Sequence, residues 1–270
     1  MRHDRLQSVC YISIKGQVLY SVFKSLPLQK NMARLLVLSD IHGNWPALLA
    51  VSAQADLSHV DQIINCGDTT VYAPFANQVL DWLADRRALS ILGNTDSKVV
   101  KLLNGKEFKK PSSAEKRIMY THTAETLSKR NQQRLLALEK QGRLEAEGRR
   151  IAFFHGSPAK QSEFLSADTP EKRWQELAYL AKADIILTGH THEPQHKIVG
   201  GVHFLNPGSV GRMFDGNPAA SYLLLELGRK KIRAEFRRCA YDAGLVAQGL
   251  AEAALPEIYA EMFRQGLKLN

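Results

Sequence analysis

A short apolar run that ends in an aspartate and a histidine is the feature that most constrains the fold of this chain. Residues 35–38 are continuously apolar, which favours a strand buried on both faces, as in a parallel sheet. Asp40 and His42 follow, Gly43 permits a sharp turn, and residues 45–49, with a proline in the first turn, predict a helix. Because open α/β sheets bind ligands at the carboxyl ends of their strands, Asp40 and His42 are candidate site residues. A helix cap and a surface loop residue are the alternatives for the two.

The strand-then-helix pattern repeats along the chain. Further strands are predicted at residues 61–66 and 88–92, with a helix at 74–84 between them. Such repeats are typical of parallel β-α-β units and predict an α/β fold. A hairpin, a helix, another buried strand, a series of four strands and a helical tail follow, at residues 144–154, 170–182, 184–188, 196–236 and 241–267.

Seven polar side chains fall just past the ends of predicted strands, each close to a glycine: Asp40, His42, Asp68, Asn94, His155, His190 and His192. If the strands lie in one sheet, these side chains converge on one rim. Two carboxylates, an amide and four imidazoles are enough ligands for two divalent cations that share one carboxylate. Mixed oxygen and nitrogen donors suit Mn²⁺, Fe, Co²⁺ or Zn²⁺ better than Ca²⁺ or Mg²⁺. Taken singly, each position is also explained as a turn former, a buried core histidine or a polar edge.

Five short motifs in this set resemble those of the calcineurin-like metallophosphoesterase superfamily: Asp40-x-His42, Gly67-Asp68, Gly93-Asn94, His155-Gly156 and Gly189-His190-x-His192. The chain is most similar to the small bacterial and archaeal phosphodiesterase-like branch. That narrower similarity comes from residues 39–44, Tyr72, Pro74 and residues 206–211, which read Asn-Pro-Gly-Ser-Val-Gly. The resemblance extends from about Met32 nearly to the C-terminus.

The resemblance implies an α/β, four-layer αββα sandwich of two mixed β-sheets flanked by helices. It also implies that Asp40, His42 and His192 hold one metal ion, that Asn94, His155 and His190 hold the other, and that Asp68 bridges them. Mn²⁺ is the expected metal, with Fe, Co²⁺, Ni²⁺ or Zn²⁺ as alternatives. The implied reaction is hydrolysis of phosphodiesters, or alternatively phosphomonoesters, by a hydroxide that bridges the two ions. Asp68 and Asn94 are the expected catalytic residues, and Asn94 is also expected to bind substrate.

One position departs from the family pattern. Many members carry a histidine after the Gly-Asn pair that helps to protonate the leaving group, and here that position is Thr95. A hydroxyl is a poor proton donor at neutral pH, so we expect slow turnover of alkoxide leaving groups and better turnover of phenolate-like ones. His122 is an alternative acid. Asp96 is predicted to cap a helix that begins at Ser97.

The positive charge of the chain is concentrated in two segments. The net charge is +9; residues 1–31 carry five basic and one acidic side chain, and residues 98–150 carry fourteen basic and six acidic ones. We expect an N-terminal extension at 1–31, either poorly ordered or a non-native start before Met32. A single domain at 32–270 would contain a basic helical insertion at 97–142 that covers one side of the sheet, with a helix predicted at 128–141. Such a segment can attract a polyanion, although a solvated helix face is its commoner role.

The remaining expectations concern partners and location. The expected partner is a phosphate-ester substrate, and a homo-oligomer is left open. Nucleic acid is not favoured, because Phe108 and Tyr120 are the only aromatic residues in 98–150. No run approaches the ~20 apolar residues that span a bilayer, so no membrane partner is expected. Three scattered cysteines predict a reducing, cytoplasmic setting, with Cys66 as a small buried apolar residue. A protein Ser/Thr phosphatase, a nucleic-acid-directed phosphodiesterase and a non-catalytic metal-binding scaffold are the alternative functions.

Overall fold

A computed structural model describes residues 32–108, 113–229 and 231–270, together with the backbone of three two-residue strands, β1 (Ser13–Ile14), β2 (Gln17–Val18) and β3 (Lys24–Ser25). The rest of the predicted N-terminal extension lies outside the described residues. The remaining strands are β4 (Met32–Leu38), β5 (Gln62–Asn65), β6 (Leu89–Ser90), β7 (Gln141–Ala146), β8 (Arg149–Phe154), β9 (Ile185–Leu187), β10 (Pro194–Val199), β11 (Val202–Pro207), β12 (Ala220–Gly228) and β13 (Ile232–Cys239). The α-helices are α1 (Trp45–Gln54), α2 (Ala76–Asp85), α3 (Asn94–Leu103), α4 (Ala114–Thr126), α5 (Lys129–Leu136), α6 (Glu171–Ala181), α7 (Ala243–Glu252) and α8 (Ile258–Gln265).

Strands β1 and β2 pair with each other, and the other described strands form two mixed sheets. The first has the order β13-β12-β4-β5-β6, and its last three strands are parallel, as the repeated strand–helix pattern predicts. The second has the order β10-β11-β9-β8-β7-β3, in which β9 runs parallel to both β8 and β11. The predicted hairpin is the antiparallel pair β7 and β8. The parallel strands of each sheet end at a common edge, which is where the polar residues follow.

Strand β4 shows why two sheets and two outer helical layers form. Leu35 and Val37 point into a core between the two sheets, whereas Leu36 and Leu38 point into a second core under α1 and α2. Because successive side chains of a strand face opposite sides, a run that is apolar throughout must be covered twice. On the far side of the second sheet, Trp174 of α6 packs in a further core. The four-layer sandwich of two sheets flanked by helices is therefore confirmed.

The basic segment packs differently from the prediction. Its helices α3, α4 and α5 share a core with α2, α7, α8 and the loops after β5 and β6, and the buried residues of that core include none from a described strand. The expectation that this segment covers a face of the sheet is wrong, because α1 and α2 already cover the outer face of the first sheet. The helix predicted at 128–141 is also shorter, since α5 ends at Leu136 and β7 begins at Gln141.

The helices of the molecule are short. The longest in the described part of the chain, α4, has 13 residues and is capped by Ser113, which directly precedes it. Within the described ranges, none has the length and apolar character needed to traverse a lipid bilayer.

Candidate metal centre

The turns after five parallel strands bring the seven predicted site residues to one end of the sandwich. Asp40 and His42 follow β4, Asp68 follows β5, and Asn94 begins α3 after β6. From the second sheet, His155 follows β8, and His190 and His192 follow β9. Backbone hydrogen bonds tie the turns to one another, including Asp40 N to Gly67 O at 2.9 Å and Gly189 N to His155 O at 2.8 Å. Both sheets therefore contribute to one site.

The first group of donors consists of Asp40, His42 and His192, all buried, whose ligand atoms lie within 4.8 Å of one another. Nε2 of His192 lies 3.2 Å from Oδ1 of Asp40 and 3.3 Å from Nε2 of His42. Nε2 of His42 lies 3.8 Å from the same Asp40 oxygen. Three potential ligand atoms from two sheets thus face one point.

The second group consists of Asp68, His155 and His190, which also lie within 4.8 Å of one another. Nε2 of His155 lies 3.4 Å from Oδ2 of Asp68 and 2.8 Å from Oδ1 of Asn94. The same Asp68 oxygen lies 3.9 Å from Nε2 of His42 in the first group. Asp68 therefore lies between the two groups, and Asn94 lies beside the second.

Backbone carbonyls fix the tautomer of three of these imidazoles. Each Nδ1–H donates to a carbonyl: His42 to Thr70 at 3.3 Å, His155 to Cys66 at 2.9 Å, and His192 to Arg212. In the neutral ring, Nε2 is then an unprotonated acceptor that points into the site. A carbonyl partner on the other ring nitrogen is the usual support of a metal-binding histidine.

This arrangement brings acceptor atoms face to face. The lone pairs of His42 Nε2 and His192 Nε2 point at one another, and both point at a carboxylate oxygen of Asp40. That oxygen and Nε2 of His190 are buried without a hydrogen-bond partner. Converging acceptors repel one another unless a cation lies between them, and a buried polar atom without a partner is costly. The donor set therefore fits divalent metal ions.

Burial and neighbouring charges set the protonation of the group. Burial lowers the pKa of His42 to about 3 and that of His190 to about 4, so both rings are neutral at physiological pH. Burial opposes ionisation of Asp68, but the His155 and His42 rings outweigh it and lower the pKa of that carboxyl to about 2. Burial likewise opposes the charged form of His155, and the Asp68 carboxylate outweighs it and raises the pKa of the ring to about 10. In the absence of metal the His155 ring therefore carries a proton that a bound ion would displace, because ionised carboxylates and neutral imidazoles are the forms that bind metal.

Five of the seven residues have a left-handed backbone, which is uncommon outside glycine: Asp40 (φ 52°), His42 (51°), Asp68 (52°), His190 (71°) and His192 (63°). Such a conformation costs about 1 kcal/mol or more at each position and persists where the surrounding structure imposes it. Strained backbone of this kind clusters at functional sites. Here it turns the side chains from the strand ends toward a common centre.

The end of β11 and the loop after it hold the two halves of the site together. The Asn206 side-chain amide donates to Gly189 O at 2.8 Å, and the Ser209 hydroxyl donates to Asp40 O at 2.7 Å. The side-chain amide of Asn44 in turn donates to Gly211 O at 3.0 Å. The Asn-Pro-Gly-Ser-Val-Gly sequence is thus the link between the turn after β4 and the turn after β9.

Asp96 has a role that the sequence reasoning missed. The helix start predicted at Ser97 is wrong, because α3 already begins at Asn94 and Asp96 lies in its first turn. Asp96 still caps this helix, since its carboxylate accepts from Gly93 N, the amide of the N-cap residue. Its carboxylate accepts from Thr69 N (3.0 Å), Thr70 N (2.9 Å), the Thr70 hydroxyl (2.7 Å) and Gly93 N (3.1 Å). Burial and the Asp68 charge raise the pKa of this carboxyl to about 6. Asp96 therefore joins the turn that carries Asp68 to the turn that carries Asn94, through partners that lie far away in sequence.

A cavity opens onto both donor groups. Its lining includes five of the seven site residues, all but Asp40 and His155, and also Tyr72, Thr95, Lys116, Phe164, Arg212, Phe214 and Lys268. The Thr95 hydroxyl is buried without a hydrogen-bond partner, and its amide donates to Asp68 Oδ1 at 2.8 Å. The alternative acid His122, on α4, is not among the residues that line this cavity.

Two sheets flanked by helices, with carboxylates and imidazoles gathered at the strand ends, define an α/β protein with a candidate metal centre. The family model for the calcineurin-like phosphoesterase superfamily domain matches residues 33–230. The chain belongs to that superfamily, whose members are metallophosphoesterases. Family and donor groups together support a metal-dependent phosphoesterase.

Comparison with individual proteins agrees with this placement. An uncharacterized protein of Methanocaldococcus jannaschii is 27% identical over 242 residues, which is 84% of this chain and 96% of that protein. The crystal structure of a metallophosphoesterase from Sphaerobacter thermophilus matches with a TM-score of 0.73 and 24% identity, over 87% of this chain and all of that one. The crystal structure of a hypothetical protein from Pyrococcus horikoshii matches with a TM-score of 0.76 and 18% identity, over 87% and 99% of the two chains. At these identities the structural matches show the fold.

Proposed function

We propose that this chain hydrolyses phosphodiesters with the aid of two divalent cations. The observation that carries the proposal is the presence of two donor groups in one cavity, with Asp68 between them. Asp40, His42 and His192 would hold one ion, and Asn94, His155 and His190 the other, with Asp68 shared. Ions bound there would acidify a water molecule and offset charge on the phosphoryl oxygens.

The residues of the chain itself would orient the substrate. Asn94 is neutral and faces the cavity, so it can donate a hydrogen bond to a phosphoryl oxygen without adding negative charge. The unpartnered Thr95 hydroxyl can donate in the same way. Residue 95 is a threonine and not a histidine, so this position offers no imidazole that could protonate a poor leaving group. This favours substrates whose leaving group is stable as an anion.

The proposal is tested with an aryl phosphodiester such as bis(4-nitrophenyl) phosphate and the purified chain in Mn²⁺. We expect turnover that depends on metal and falls by at least about a hundredfold in Asp68→Ala, because the shared carboxylate is lost. Asp56→Ala removes an exposed carboxylate elsewhere and is the control. Undiminished activity of Asp68→Ala would refute the proposal. A panel of Mn²⁺, Fe²⁺, Co²⁺, Ni²⁺ and Zn²⁺ identifies the preferred metal, for which Mn²⁺ is our first choice.

Two features bear on the alternative functions. In the basic segment, Tyr120 is buried and packs against Phe108 at 6.1 Å between ring centroids, so it is not available to stack on a base. This argues against single-stranded nucleic acid as the substrate, and salt-dependent binding to an oligonucleotide tests it. A scaffold that binds no metal would not need a complete donor set, whereas a metal-binding scaffold would keep the set and show no turnover. Metal analysis combined with the aryl diester assay separates the scaffold from the enzyme.

A further inference from the structure

A buried arginine lies beside the candidate metal centre without a counter-ion. Arg212 is 7% exposed, and none of the ion pairs within 4.0 Å in the described part of the chain includes it. Its Nε is buried without a hydrogen-bond partner. A guanidinium cannot lose its proton in a protein, so it remains charged there. Burial of a charge without a partner is strongly unfavourable, which indicates that an anion belongs beside it.

Aromatic rings hold the guanidinium but do not neutralise it. Its central carbon lies 3.9 Å from the centroid of Tyr72, 5.2 Å from Phe214 and 5.7 Å from Tyr259. Nη2 lies 3.1 Å from the sulfur of Met262, which is a weak acceptor. Cation–π contacts recover part of the lost hydration and fix the plane of the group. The hydrogen-bonding capacity of the guanidinium stays largely unused.

The same rings place Arg212 at the metal centre. Tyr72 contacts the ring of His42 at 5.1 Å, and Phe214 stacks on His192 at 4.3 Å with an interplanar angle of 9°. The carbonyl of Arg212 accepts from His192 Nδ1. Arg212 lines the same cavity as both donor groups. A single aromatic ring therefore separates the guanidinium of Arg212 from each of two candidate metal ligands, His42 and His192.

With two divalent ions bound, the positive charge around the cavity would exceed what a simple phosphodiester can neutralise. Arg212, Lys116 and Lys268 line it, and Asp68 is the one carboxylate side chain among the described residues of its lining; Asp40 of the first donor group is buried nearby. Two divalent ions would bring four positive charges against these two carboxylates, whereas a simple phosphodiester brings one negative charge. Substrates with further anionic groups would balance the site better.

We propose that Arg212, with Lys116 and Lys268 at the rim, forms a subsite for a second phosphoryl group of the substrate. The proposal rests on the proposed function and narrows its substrate class to phosphoesters that carry an additional phosphate. A planar guanidinium matches two phosphoryl oxygens at once, which a flexible ammonium group does not. The tight aromatic packing keeps it oriented before the substrate arrives.

Binding of two matched nucleotides tests the subsite without reliance on catalysis. Adenosine 3′,5′-bisphosphate and adenosine 5′-monophosphate differ by one phosphate, and their Kd values for the Mn²⁺-loaded chain are measured by calorimetry. We expect the bisphosphate to bind about tenfold more tightly, the effect of one good charge-assisted contact. In Arg212→Met the ratio should fall to about twofold, and in Arg212→Lys to an intermediate value. Arg264→Met removes a half-exposed charge from α8 and should keep the wild-type ratio.

The outcomes separate this proposal from the proposed function. An equal Kd for both nucleotides in the wild type, or a wild-type ratio in a folded Arg212→Met protein, would overturn the subsite. If circular dichroism shows that Arg212→Met does not fold, the exposed Lys268 is replaced instead, in Lys268→Met. The bisphosphate should then bind about fivefold more tightly than the monophosphate, compared with about tenfold in the wild type. A wild-type preference that depends on Arg212 in a chain without hydrolytic activity would support the subsite and refute the enzyme.

Discussion

At the scale of single residues, buried polar atoms with defined partners shape the candidate metal centre. The carbonyls that receive the Nδ1–H groups decide which imidazole nitrogen faces the site. Asp96 is fully buried and satisfies three amides and a hydroxyl. These groups would not contact a bound metal ion themselves, yet the positions of the metal-binding side chains depend on them.

Replacement of Asp96 is expected to be costly. Asp96→Ala leaves the amides of Thr69, Thr70 and Gly93 buried without an acceptor, so the free energy of unfolding should fall by about 2–4 kcal/mol. Urea denaturation measures it, and metal binding should weaken in the same variant. Asp96→Asn keeps one acceptor oxygen and should lose less. A stability within 0.5 kcal/mol of wild type, the range typical of surface changes, would contradict this account.

Replacement of Thr95 tests the leaving-group argument. Thr95→His places an imidazole in the cavity, where it can protonate a departing alkoxide. We expect turnover of a dialkyl phosphodiester to rise by at least about tenfold relative to an aryl diester, because general acids assist poor leaving groups most. Thr95→Asn, which cannot deliver a proton, is the control. If the ratio of the two rates stays constant in Thr95→His, the missing acid does not limit the chemistry.

At the scale of secondary-structure elements, close contacts between turns bring strand ends from two sheets to one point. Gly93 lies against the backbone of Asp68 and leaves no space for a side chain. A Cβ at position 93 would overlap Asp68 N and Oδ1. Gly189 likewise faces the Ser39 side chain next to Asp40. The glycines near the ligands therefore serve close approach of one turn to another.

Gly93→Ala is expected to displace Asp68. The overlap involves both the Asp68 carboxylate and the Asp68 backbone, and the backbone cannot rotate away, so we expect a loss of about 1–3 kcal/mol in stability and weaker metal binding. Thermal unfolding and metal titration measure the two effects. Gly148→Ala is the control: its φ of 71° costs about 1 kcal/mol, but nothing lies within 4 Å of the added Cβ. Wild-type metal affinity in Gly93→Ala would show that the turns are less closely coupled than the structure indicates.

At the scale of the whole molecule, metal binding and folding are linked. The converging acceptors belong to both sheets, so ions bound among them would join the two halves of the sandwich. A ligand that binds only the folded state stabilises it by about 2.7 kcal/mol at a hundredfold excess over Kd. The metal-free chain should therefore be less stable than the loaded one.

Removal of metal tests this link. After treatment with a chelator, Tm should fall by several degrees and return as Mn²⁺ is added, as about 1 kcal/mol corresponds to 2–4 °C for a chain of this size. His192→Ala removes a donor and should reduce the Mn²⁺-dependent part of the shift. An identical Tm with and without metal in the wild type would contradict the interpretation of the donor groups.

The sequence by itself determined the α/β class and pointed to seven candidate residues, because an apolar strand that stops at a glycine and a polar residue is a local signal. Asp96 and Arg212 carry no such signal: the partners of Asp96 lie up to 27 residues away, and those of Arg212 come from a loop and a distant helix. Equally, nothing in the sequence indicated that the basic segment packs against α7 and α8. That packing depends on which faces of the sheets other helices cover. Local patterns of hydrophobicity and turn residues set strand ends and their order. Only the tertiary structure decided which buried charges meet a partner, because burial and proximity are properties of the folded whole.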